Sequence, residues 1–204
     1  MFAALLLIAG LVLTNQSNFA ENYVKDQFKQ QQITFTPAEN LHGEQEADGG
    51  DCLVANGGKP LETGKQAECY ANQYIAFHLA SGAKEAGYEG LTYATLGTPQ
   101  RELAAELQAA KDAGESTDEL QGKVDAINGL RDTMFKGETL RGLLLTTYGF
   151  SIFGERAGQA ATVIYIAAVV LFLLSIAGLV HAFTTKKDET VLVVAHDTKE
   201  PAKA

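Results

Sequence analysis

An apolar run from Ala157 to Phe183 constrains this chain more than any other feature. Between Gly158 and Phe183 the clearly polar side chains are Gln159, Thr162, Tyr165, Ser175 and His181, and none carries a permanent charge. A helix rises about 1.5 Å per residue, so roughly 20 residues cross a bilayer core, and this run is long enough. Lys186 and Lys187 follow at once, as basic residues do on the cytoplasmic side of a span. The pattern predicts a transmembrane helix over 157–183 and a flexible cytoplasmic tail over 184–204, polar apart from Val191 to Val194.

A second apolar run, Phe2 to Leu13, is short for a span and has the length of a signal-peptide core. It has no basic residues before it, and Leu13-Thr14-Asn15-Gln16 is a poor cleavage site. Two readings stay open: a cleaved signal, or a retained helix over 1–14 that lacks its first residues. The retained helix is favoured. It places both termini in the cytoplasm and 15–156 outside, as an extracytoplasmic domain of a multi-pass plasma-membrane protein.

The net charge of -9 falls entirely in that middle segment, because the tail balances Lys186, Lys187, Lys199 and Lys203 against Asp188, Glu189, Asp197 and Glu200. An acidic domain excludes nucleic acid as a partner, since phosphate binding needs a basic surface. The two cysteines, Cys52 and Cys69, also lie in the middle segment. An even count outside the cytoplasm predicts a structural disulfide, stabilising by about 3 kcal/mol in the chain-entropy model. A redox pair or half a metal site is the alternative, but CxxC spacing and partner ligands are missing.

Phe19, Tyr23, Val24 and Phe28 recur at helical spacing, so the first helix is expected to continue beyond its apolar run. Ile33-Thr34-Phe35-Thr36 alternates and stops at Pro37, which predicts a short strand or extended segment. Leu41 to Gly64 reads as a loop held by the disulfide. Tyr70, Tyr74, Phe77 and His78 mark one face of a helix over Glu68 to Leu79, ended by Ser81-Gly82. Thr98-Pro99 predicts a helix start that runs to Gly114, and Ser116 with Glu119 a capping box before a second helix. That second helix carries Leu120, Val124, Ile127, Leu130 and Met134, and the pair forms a helical hairpin. From Thr139 a further helix lies against the domain and enters the bilayer near Gly158, with Glu155-Arg156 at the headgroups. The expected fold class is mainly α: two transmembrane helices flanking an α-rich extracytoplasmic domain with a helical hairpin and a disulfide-held loop.

His78, with Tyr70 and Tyr74, is the candidate ligand face, because imidazole titrates near neutrality. The blander reading is a packed histidine whose ring nitrogens bond to backbone. His42 falls in a loop, His196 in the tail, and His181 at the inner end of the second span, where snorkelling explains it better than haem ligation. Gly154 and Gly158 form a GxxxG, Ala161 extends its small-residue face, and Ser175 and Gly178 repeat the theme, so these are the predicted helix-packing positions. GxSxG, phosphate-loop, HExxH and dinucleotide-binding patterns are absent. Glu102 and Glu106, like Asp118 and Glu119, read as solvated helix charges. No catalytic residue, cofactor or metal site is expected.

The order of elements carries a resemblance. A short N-terminal membrane helix precedes Ile33-Thr34-Phe35, the helix from Ala67 to His78, Thr92-Tyr93-Ala94-Thr95-Leu96, the Leu-Arg-Gly-Leu-Leu-Leu-Thr-Thr run over Leu140 to Thr147, and a final membrane helix. This resembles a group of small two-helix actinobacterial membrane proteins, often labelled aromatic ring-opening dioxygenases, although this chain offers no iron-ligand set for that label. Relative to them, the Pro99 to Met134 hairpin and the cysteine loop look like insertions. Proteins of this build are similar to accessory subunits of the actinobacterial cytochrome bcc–aa3 respiratory supercomplex, such as its association factor. The resemblance implies a non-catalytic accessory or assembly subunit whose partners are lipid and the integral membrane subunits of cytochrome bcc and aa3 oxidase. The rival is a free-standing membrane-anchored sensor or small-molecule-binding module, with an enzyme third.

Overall fold

The computed structural model describes residues 1–185. The chain forms α1 (Phe2–Gln31), α2 (Asp51–Asn56), α3 (Gly64–Cys69), a π-helical stretch (Tyr70–Ile75), α4 (Ala76–Glu85), α5 (Gly97–Ala113) and α6 (Asp118–Thr184). Short 3-10 turns occupy Ala38–Asn40 and Glu44–Glu46. The fold is mainly helical, with no strand among the described residues. α1 and α6 are each long and apolar enough to cross a membrane by length and composition. Beyond Thr185 the expected tail, with Lys186, Lys187 and His196, lies outside the described residues.

α6 is a single helix of 67 residues, about 100 Å long at helical rise. Sequence reading divides it into a hairpin helix and a membrane-entering helix, but it continues through both. It contains no proline, and one of its glycines is closely packed against α4: a Cβ on Gly137 would meet Leu79 Cδ2 at 2.5 Å. Its buried positions, Val124, Ile127, Met134, Leu144, Gly154, Ala161 and Ala168, form one stripe at near-heptad spacing. α1 packs along the upper part of that stripe. Gly10 lies against Tyr165 and Ala20 against Gly154, so the two helices run antiparallel. As expected, α1 extends unbroken past its apolar run, burying Ala20, Val24 and Phe28.

Two cores hang on this pair. Val24, Phe28, Phe35, Leu53, Leu61 and Leu144 belong to the larger one, which joins α1, α2, α3 and α6. The Cys52–Cys69 disulfide, with Cα atoms 6.1 Å apart, ties α2 to the end of α3 within it. The smaller core holds Ala83, Leu96, Ile127 and Met134. α5 and the first half of α6 form the expected hairpin, turned at Gly114 with φ 69°.

Several local expectations are corrected. Of the two expectations for segment 33–36 the extended one holds, and the strand is reduced to a lone antiparallel bridge, Thr34 to Pro60. The 41–64 loop contains α2. Ser81-Gly82 does not end the helix, which runs to Glu85 because Ala83 is fully buried beneath it. α5 starts at Gly97, one residue before Thr98: buried Leu96 anchors the turn, and its carbonyl accepts from Gln100 N at 3.1 Å. Pro99 then sits in the first turn, where a missing N–H costs nothing. Ser116 does not cap α6. Thr117 holds that position without a side-chain bond, and Glu119 pairs with Lys123 Nζ at 2.6 Å. A capping box does exist, at Thr63 and Gln66.

Candidate functional site

The five predicted packing positions separate into two groups. A Cβ on Gly154 would lie 2.5 Å from Ala20 Cβ, and one on Gly158 would lie 2.8 Å from Ser17 Oγ. Ala161 is buried in the same contact. The GxxxG therefore serves packing within the chain, and the side chains of Thr14 and Tyr165 bridge the two helices by a 3.1 Å hydrogen bond. Ser175 and Gly178 are not part of it. Nothing lies within 4 Å of a Cβ placed on Gly178, and exposed Ser175 turns its hydroxyl back to the Leu171 carbonyl at 2.8 Å. Phe172, Leu173, Leu174, Ile176 and Leu179 around them are exposed.

The predicted ligand face is assembled as a column of rings. Tyr70 and Tyr74 stack with centroids 4.9 Å apart, and Tyr74 meets His78 edge-on at 4.5 Å. Phe35 closes the lower end against Tyr70 at 5.4 Å. Residues four apart on an α-helix drift by about 40° per step, and the wider π turns over Tyr70–Ile75 offset that drift. His78 does not bond to backbone as expected. Its Nε2 lies 2.9 Å from Glu44 Oε1, contributed by a distant 3-10 turn.

Glu44 is 1% exposed, the one buried charged side chain in the described core. Burial pushes its carboxyl up, but the N–H groups of Glu44 and His42, together with His78, outweigh this and hold it below its ordinary value. The same burial, with Tyr74 beside it, raises the Tyr70 phenol. Sequence spacing gives no sign of Glu44, because it reaches His78 from 34 residues upstream. Among the described residues no three His, Cys, Asp or Glu side chains are grouped to hold a metal ion.

Two hollows flank these groups. A cleft of about 520 Å³ between α1, α3 and α6 is lined by Ser17, Glu21, Lys25, Glu62, Ser151 and Glu155, among others, with Lys25 and Glu62 3.5 Å apart. A smaller cavity of about 170 Å³ lies between α4, the 90–92 segment and α6, and Arg141 lines it. Arg141 Nη2 donates to Asn72 Oδ1 at 3.0 Å, so the π-helical stretch also supports this cavity. No family model, curated protein or solved structure matches the chain.

Proposed function

We propose that this chain is a membrane-anchored, non-catalytic accessory or assembly subunit of a larger membrane complex. The observation that carries this reading is the division of labour along α6. One part, 118–156, builds the two cores and the hairpin. At helical rise that part alone is about 60 Å long, a strut that holds the hairpin far from the apolar end. The other part is apolar, packs on α1 as far as Ala168, and then runs bare past Ser175 and Gly178. Small residues let helices approach closely in lipid, where apolar burial gives no drive to associate, so this bare stretch suits a partner helix.

In this reading α1 and α6 are transmembrane, Lys186 and Lys187 mark the cytoplasmic side, and the disulfide-bonded domain is extracytoplasmic. The resemblance to small two-helix actinobacterial membrane proteins nominates the cytochrome bcc and aa3 oxidase subunits as partners. Purification of the tagged full-length protein in mild detergent, with mass spectrometry and visible spectra, tests this. Stoichiometric recovery with haem-bearing oxidase and cytochrome subunits is expected. Recovery of a colourless protein alone sinks the proposal.

A further inference from the structure

At one height on the α1–α6 pair, two opposite sides differ in kind. One side carries four exposed rings, Phe19 and Tyr23 of α1 with Phe150 and Phe153 of α6, and Phe153 is 78% exposed. They form one patch. Phe19 stacks on Tyr23 at 5.7 Å, Tyr23 meets Phe150 edge-on at 6.1 Å, and Phe153 follows Phe150 by one helical turn. The other side is the cleft that α3 closes, where Glu21, Lys25, Glu62, Lys65 and Glu155 collect. Phe19 and Glu21 are two residues apart on α1, as are Phe153 and Glu155 on α6, so about 200° of helical turn separates each pair. Rings and charges stand back to back across the helix pair.

What covers the patch follows from what it adjoins. Exposed Val12 lies one heptad before Phe19, and exposed Leu171 and Leu174 lie three heptads beyond Phe150 and Phe153, so the same face continues inward as apolar span. Aromatic rings settle where lipid meets water, and in a chain without tryptophan that place falls to phenylalanine and tyrosine. Height then decides the orientation. Gly158, packed on Ser17, stands at the start of the charge-free run of α6. At helical rise Phe153 lies about 8 Å outward of it and Phe150 about 12 Å, whereas the interfacial layer is about 5–8 Å thick. Held upright, the pair would leave Phe150 and neighbouring Tyr23 in water.

We infer that the α1–α6 pair sits tilted in the membrane, with the Phe19, Tyr23, Phe150 and Phe153 patch lowered into the outer interface of a phospholipid bilayer and the charged cleft raised clear of it. This rests on the reading of α1 and α6 as spans. Lys65 stands at about the height of Phe150, because Gly64 packs directly on Ser151 and Tyr148. Two adjacent helices of about 10 Å diameter put roughly 20 Å between these edges, so a membrane-helix tilt of about 20° lowers one about 7 Å below the other. Phe150 then reaches the edge of the interfacial layer, and Phe19 and Phe153 lie within it. The disulfide-bonded domain joins the pair through α3 on the raised side, so it stands off the bilayer with its cleft open to water.

Because the chain contains no tryptophan, a single introduced one reports depth. Phe150→Trp, Lys65→Trp and Val170→Trp are each reconstituted full-length in vesicles of phosphatidylcholine brominated near the glycerol end or near the methyl end of its acyl chains. Phe150→Trp is expected to emit at shorter wavelength and to lose most of its intensity to the shallow bromines, with Phe153→Trp as a second reporter on the same face. Lys65→Trp keeps the emission of a water-exposed indole and is not quenched, and Val170→Trp is quenched most by the deep bromines. Adding Phe19→Gln and Phe153→Gln to the Phe150→Trp protein cancels most of its shallow quenching. If those two changes leave the quenching as it was, or if Phe150→Trp and Lys65→Trp are quenched alike, the inference is overturned. It is overturned too if both reporters on the ring face stay unquenched while Val170→Trp is quenched, a result that leaves the spans standing. An unquenched Val170→Trp removes the spans and the tilt together.

Discussion

Gly154→Ala tests the α1–α6 contact most directly. The added methyl would lie 2.5 Å from Ala20 Cβ, where carbon atoms rest about 3.5–4.0 Å apart. Both are methyl carbons bonded directly to Cα atoms of the helices, so no rotation can carry either away, and α1 must move off by about 1 Å. The Thr14–Tyr165 hydrogen bond, 3.1 Å long and three turns further along the contact, stretches with it. Overpacking of this kind costs about 1–3 kcal/mol. Gly149 supplies the control on the same helix: nothing lies within 4 Å of its added Cβ, so Gly149→Ala gains helix propensity of up to about 1 kcal/mol. Ala20→Gly in the Gly154→Ala background returns the missing space and recovers most of the loss, less about 0.5–1 kcal/mol for glycine in a helix. Thermal unfolding in mild detergent by far-ultraviolet circular dichroism, disulfide intact, reads all four proteins. If Gly154→Ala proves as stable as Gly149→Ala, or if Ala20→Gly fails to rescue it, the close approach of these helices is not what holds the pair.

Glu44 makes folding pH-dependent in a defined direction. Its carboxyl is held below its ordinary value of 4.5, so the folded state favours the ionised form. That stability is fully present above 4.5 and lost as pH falls through the ordinary value toward the folded one. Glu44→Gln is expected to flatten the acid side of the stability curve, and an unchanged acid limb contradicts the assignment. Cys52→Ser with Cys69→Ser opens a loop of 17 residues and costs about 3 kcal/mol, measured by urea titration with and without reductant; equal midpoints would show that the bridge contributes nothing. Thr63→Ala removes the α3 cap and costs about 1 kcal/mol, whereas Thr98→Ala, at the start read from sequence, is expected to stay within about 0.5 kcal/mol of wild type.

What was legible in the residues is what depends on neighbours along one helix. The apolar run in α6, the amphipathic spacing of Val124, Ile127 and Met134, and the glycine that turns the hairpin all act within a few residues of themselves. The disulfide was legible because its count and setting left few alternatives. Helix ends were not. Thr98-Pro99 and Ser116 to Glu119 are good start signals worth about 1 kcal/mol each, but a fully buried Leu96 outweighs that through its contacts in the smaller core. Ser81-Gly82 fails as a stop for the same reason, since the chain continues helical to bury Ala83. A local preference decides an end only where tertiary contacts are indifferent to it.

The site was legible to the extent that its members share one helix. Tyr70, Tyr74 and His78 stand at constant spacing, so their column could be read from residues alone, although the π turns that align it could not. Glu44 and Arg141 have no such signature. Each acquires its setting from a group brought to it across the fold: the imidazole of His78 for one, the amide of Asn72 for the other. A carboxylate only 1% exposed and a guanidinium with an orphaned N–H are both costly, and the two were resolved differently. Glu44 found donors within the chain and ionises more readily for it. Arg141 meets Asn72 but keeps its Nε buried without an acceptor, which costs about 1–3 kcal/mol.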